Sequence, residues 1–190
     1  MKKNMTRLAC LMLAATLALS LPMQSKAAEA KKDTEQTAET TEETQPTHYE
    51  EVKIATAEDL AGLAKRCRLD SASRNLKVTL TDNISLADYP NLEIPTFGGI
   101  FDGGNHKITN VKIDAEGSAQ GLFRYLQKDG KIMNLEVVGK VLPTGSATKI
   151  GGVVGVNNGS IQNVTFSGTL EATDQVGGLV GYNAVTGRVI

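Results

Sequence analysis

From Leu76 onward, apolar residues recur at every second position in short runs broken by turn residues. Leu76, Val78 and Leu80 alternate with polar neighbours, and Ile84 and Leu86 resume the pattern after Asp82-Asn83. A period of two marks a strand with one buried face, so short strands joined by tight turns are expected from here onward. Ahead of this region the period is helical. Leu60, Leu63, Ala64 and Cys67 form an apolar stripe behind Thr56-Ala57-Glu58-Asp59, which reads as an N-cap followed by acids in the first turn. One short helix is expected there, covering the open end of the sheet that follows. Cys67, on the stripe, reads as a small buried hydrophobe rather than a reactive thiol.

The strand region repeats itself. Gly104-Asn105-His106-Lys107-Ile108-Thr109-Asn110-Val111, Gly130-Lys131-Ile132-Met133-Asn134-Leu135 and Gly159-Ser160-Ile161-Gln162-Asn163-Val164 each end in Ile-x-Asn and an apolar residue. The second and third copies follow Gly121-Leu122-Phe123-Arg124-Tyr125 and Gly152-Val153-Val154-Gly155-Val156-Asn157. A further copy, Gly178-Leu179-Val180-Gly181-Tyr182-Asn183, leads into Gly187-Arg188-Val189-Ile190.

The step from Ile132 to Leu135 is odd and that from Leu135 to Val137 is even, so a straight strand cannot turn all three to one face. A corner at the Asn can, because Asn tolerates left-handed backbone angles. Each period is therefore expected to be one coil of a parallel β-helix, with Asn110, Asn134 and Asn163 in register as an amide ladder at an inner corner. Asn163 is expected to point inward. Glycines 121, 152, 155, 178 and 181 fit bends or close backbone approach. They lack the strand-to-helix junction and the Lys-Ser/Thr of a phosphate loop.

Residues 1–27 carry Lys2, Lys3 and Arg7, then an apolar run from Leu8 to Leu21, then small residues near Ala27. This is the form of a cleavable bacterial-type secretory signal, and the run is shorter than the roughly 20 residues that span a bilayer. No stable membrane span is expected after cleavage. The 190-residue chain has 20 basic and 21 acidic residues; cleavage would remove four of the former and none of the latter, leaving a net charge near −5 that argues against nucleic acid as a partner. It would also leave Cys67 alone, without a disulfide framework. Residues 28–51, rich in Thr, Glu and Gln, read as a disordered acidic linker ahead of a β-helix over 52–190.

The run from Thr56 onward resembles bacterial surface proteins that carry the GLUG motif, known beside the N-terminal region of M26 IgA-specific metallopeptidases. The resemblance rests on Ala57-Glu58-Asp59-Leu60, Leu80 to Leu86, Phe101 to Ile108, and the copies Gly152-Val153-Val154-Gly155 and Gly178-Leu179-Val180-Gly181. Arg124 stands where the first copy would have its second glycine. The resemblance implies an all-β fold, a right-handed parallel β-helix preceded by one short N-terminal helix, in secreted or cell-surface proteins that are often adhesive.

Catalysis is not expected. Only His48 and His106 exist, without a His-Glu-x-x-His segment, and the carboxylates Asp102, Asp114, Glu136 and Glu171 form no recurring pair for glycoside chemistry. Asp102 and Asn105 read as a turn held by side-chain hydrogen bonds rather than a calcium loop. No cofactor or metal is expected. The expected function is adhesion to a host protein, a glycan or a bacterial surface component, through the loops at Leu142–Lys149 and Glu171–Gln175. The alternative is a spacer, or the N-terminal part of a larger surface enzyme of the metallopeptidase or polysaccharide-degrading kind. The repeat stops at Ile190 just before the next Asn would fall, and a fragment of a longer chain is expected.

Overall fold

The computed structural model describes residues 48–190; the segment read as a signal, and residues 28–47 of the segment read as a linker, lie outside the described residues. Strand β1 (Glu50–Ile54) opens the fold, so Glu50 and Glu51 belong to a strand rather than to the linker as expected. The reason is pairing. Glu50 and Glu51 lie in parallel register with Leu76 and Lys77 of β2 (Leu76–Leu80), and Glu51 and Lys77 meet at 2.9 Å.

Helix α1 (Ala57–Arg66) follows β1. Thr56 caps it, accepting from the Asp59 N–H at 3.1 Å while the Asp59 carboxylate accepts from the Thr56 N–H at 2.9 Å. These bonds, Thr56 first, hold the Asp59 carboxyl below its usual range. The stripe Leu60, Leu63, Ala64 and Cys67 is buried, and burial pushes the Cys67 thiol up to about 11, which keeps it protonated and unreactive. At the last turn Arg66 grips both carboxylate oxygens of Glu50, at 2.7 and 2.6 Å. This pair is solvent-exposed and contributes little stability.

The remaining chain winds into a parallel β-solenoid of about five turns. One sheet stacks β1, β2, β5 (Ile100–Asp102), β8 (Lys131–Val141), β11 (Ser160–Leu170) and β14 (Arg188–Val189), with β3 (Ile84–Ser85) and β6 (Lys107–Ile113) joining it through β8. A second stacks β4 (Ile94–Phe97), β7 (Phe123–Leu126), β10 (Val154–Asn157) and β13 (Val180–Asn183). The third is β9 (Thr148–Gly151) beside β12 (Asp174–Gly177), so strand structure takes over the ends of both segments expected as loops.

Because all neighbours are parallel, like positions fall above one another and the core consists of columns. Val52, Val78, Phe101, Ile132, Ile161 and Val189 form one. Ile94, Phe123, Val154 and Val180 form another. Among the described residues no helix is long and apolar enough to cross a membrane.

Candidate functional site

Each long strand turns a corner at its asparagine. Asn134 (φ 53) and Asn163 (φ 51) take left-handed backbone angles, and the residues on either side, Ile132 with Leu135 and Ile161 with Val164, are all buried. The Asn163 amide donates to the Asn134 Oδ1 at 2.9 Å. Asn163 is exposed rather than inward-facing, because a left-handed residue that turns both flanking side chains into the core leaves its own on the outside. Asn110 is not in the ladder. The turn Asp102–His106 is inserted at that coil's corner, so Val111 lies opposite Gly139 rather than Leu135. Asp102 takes the place instead, accepting from Asn134 Nδ2 at 3.0 Å and from the Gly104 N–H at 2.9 Å. Asn110 (φ 57) still makes a bend, and its amide donates to Ser85 Oγ at 2.9 Å.

A second amide pair, Asn157 with Asn183, lies outside what the Ile-x-Asn pattern predicts. Asn157 is fully buried in a column that reads Phe97, Leu126, Asn157, Asn183. Its Nδ2 donates to Asn183 Oδ1 at 2.7 Å, and its Oδ1 accepts from the Gly159 N–H at 3.0 Å. The Gly-x-x-Gly-x-Asn copies ending at Asn157 and Asn183 carry the signal. Asn157→Leu keeps the branching at Cγ and copies the Leu126 level, yet leaves the Gly159 N–H without a partner; urea denaturation should show a loss of about 1–3 kcal/mol. A neutral result would mean that water reaches this column.

The repeat glycines differ in what surrounds them. A Cβ on Gly121 would meet the main chain of Gly151 and Val153, one on Gly152 the Phe166 ring, one on Gly155 the Ala119 main chain, and one on Gly181 the Lys149 main chain. At Gly178 the space is open. Arg124, beside Gly155 in register, sends its guanidinium to the Ser118 carbonyl at 3.0 Å.

Glu93 sits beneath this turn, its Oε1 accepting from the Gly121 N–H at 3.3 Å. Burial pushes its carboxyl up to about 7, against the pull of that bond and of Arg124. The folded state thus holds this proton more tightly than the unfolded chain, whose carboxyl titrates near 4.5. Stability contributed by the protonated form is present at low pH and is lost as pH rises from about 4.5 to 7. Glu93→Gln should leave stability at pH 4 unchanged and raise it at pH 8 by up to about 3 kcal/mol. Equal pH slopes for variant and parent in denaturant titrations would refute this.

On the outer face of the first sheet a groove of about 600 Å³ crosses three coils. The second half of β8 lies in its middle, between β6 and β11. One row of lining side chains is Lys112, Lys140 and Thr169, in mutual register; a parallel row contains Val138 and Ser167. Between the rows lie Gly139 and Gly168, in register; a Cβ on Gly139 would meet the buried Val111, and one on Gly168 the Gly139 carbonyl, so main chain packs closely here. Lys112 pairs with Asp114 at 2.8 Å, and Asn91 donates to the same carboxylate at 2.9 Å. Lys112 first, then Asn91, hold the Asp114 carboxyl below its usual range. Sequence spacing could not reveal this surface, because the register of β6 on β8 depends on the inserted turn. Among the described residues no group of three His, Cys, Asp or Glu side chains could hold a metal ion.

The coil running through β9, β10 and β11 joins the glycines 152 and 155, the buried Asn157 and the corner Asn163 in one turn of the solenoid. Residues 146–171 match the GLUG motif. The GLUG motif of this chain is thus one whole coil. A stretch of 89 residues, 46% of the chain, is 39% identical to halomucin of Haloquadratum walsbyi (strain DSM 16790 / HBSQ001), and covers 1% of halomucin's length. No solved structure matches the chain.

Proposed function

We propose that this chain is a non-catalytic, exported repeat module that works at the cell surface or outside the cell, where the side of its GLUG solenoid binds another macromolecule. The groove across three coils is the observation that carries the binding part: it is a concave surface built on paired strands, which hold its side chains at fixed spacing. The likeness to halomucin, by its name a mucin-type protein, supports the extracellular setting. So does the signal-like segment 1–27. Partners of the adhesive class are a host protein, a glycan or a neighbouring surface component.

The test has two parts. Edman sequencing of the exported protein should start just after Ala27, and protease treatment of intact cells should remove it; an uncleaved, protected chain would overturn the export reading. The purified protein, immobilised on beads, should retain cells or surface extracts. A pure spacer would retain nothing, and release of cleaved sugar or peptide would point to an enzyme.

A further inference from the structure

We propose that the groove over β6, β8 and β11 binds an anionic polysaccharide, with Lys112 and Lys140 meeting successive carboxylates of the sugar chain. This rests on the macromolecule-binding reading above and gives it a site and a ligand class.

The charge pattern of the sheet singles out this place. Glu51 with Lys77, and Lys107 with Glu136, are in-register neighbours of opposite sign, each pair meeting at 2.9 Å. Lys112 and Lys140 are in-register neighbours of like sign. Like charges directly opposite on adjacent strands destabilise a sheet, and the fold gains nothing from this pair. Asp114 offsets Lys112 alone. Lys140 is exposed and has no acidic partner among the described residues. A ligand carrying carboxylates would neutralise the pair, and it is the missing partner that the rest of the sheet supplies from within.

The lining chemistry separates a sugar from a peptide. Thr169 and Ser167 offer hydroxyls, and Val138 and Leu142 offer aliphatic surface. This mixture suits the hydroxylated edge and the C–H face of a sugar ring. The rows run from coil to coil, so a chain lying in the groove meets in-register positions at intervals of about 4.8 Å, and the two charges, Lys112 and Lys140, stand at adjacent positions of one row. Such regularity fits a polymer with regularly spaced charges. An extended acidic peptide would bind by adding to a sheet edge; β8 beneath the groove is already paired on both sides, and the edge that β11 leaves beyond Ile161 lies to the side of the two lysines.

The test is binding of the full chain to sodium alginate, to a neutral glucan of similar length and to polyglutamate, by calorimetry at low and high salt, for the parent and Lys140→Glu. Alginate should bind and weaken at high salt, and the neutral glucan should not bind. Lys140→Glu should lose about tenfold or more in affinity. Its melting temperature should stay level or rise, because Lys112 then faces an opposite charge, so lost binding cannot be put down to unfolding. No alginate binding, equal binding by parent and variant, or tighter binding of polyglutamate would each overturn the proposal. If parent and variant are retained equally on cell surfaces, this site is wrong while the wider binding reading stands; if neither is retained, both fail.

Discussion

Phe101→Ala should destabilise the solenoid by about 3–5 kcal/mol and lower its melting temperature by on the order of 10 °C. Phe101 is fully buried, stacked between Val78 and Ile132 in the column of the first sheet. It also joins Phe97 and Phe123 in a three-ring cluster with edge-to-face geometry, at centroid separations of 6.0, 5.1 and 5.7 Å for the three pairs 97–101, 101–123 and 97–123. Loss of one ring removes both its buried area and two aromatic contacts, and the main chain cannot collapse into the void because parallel ladders on both sides fix the strand. Tyr125, on the same coil as Phe123 but 42% exposed, is the control. Tyr125→Ala should cost under about 1 kcal/mol. Guanidinium unfolding of both variants decides the matter, and a loss at Phe101 as small as that at Tyr125 would show that the interior relaxes around the cavity.

Gly155→Ala and Gly178→Ala should part company, although both glycines belong to the same repeated Gly-x-x-Gly phrase. At Gly155 an added Cβ would stand 2.6 Å from the Ala119 carbonyl oxygen and 2.9 Å from that of Arg124. Both are main-chain atoms held by their own hydrogen bonds, so the strand must shift, at a cost of about 3 kcal/mol. At Gly178 nothing lies within 4 Å and the backbone angle is an ordinary one. There Ala should be neutral, or stabilise by about 0.5 kcal/mol through the unfolded chain. Melting temperatures of the two variants measured side by side test this. Equal losses would mean that the space around Gly178 is closed as it is at Gly155.

Much of the fold could be read from residues close in sequence. The helix was legible because its signals are local: Thr56 and Asp59 close the capping box, and Leu60, Leu63, Ala64 and Cys67 share one face. The corners at Asn134 and Asn163 were legible from the parity of the apolar residues around them, since only a left-handed residue lets Ile132 and Leu135 both enter the core. The burial of Asn157 was not. An Asn after a strand reads as a turn, and only the column in which it follows Phe97 and Leu126 shows that it lies inside.

The sequence by itself determined that the chain coils, where each coil bends, and that the coils stack in parallel, because periodicity and parity are properties of neighbouring residues. Tertiary structure alone decided which residue lies over which. The five-residue turn at Asp102–His106 displaces one copy of Ile-x-Asn, takes Asn110 out of the ladder and gives its place to Asp102, and the register shift between Ile108 and Val111 then brings Lys112 against Lys140. Register between coils is set by hydrogen bonds across about 4.8 Å between strands that are more than twenty residues apart in the chain, and an inserted turn or a bulge changes every pairing that follows it in the coil.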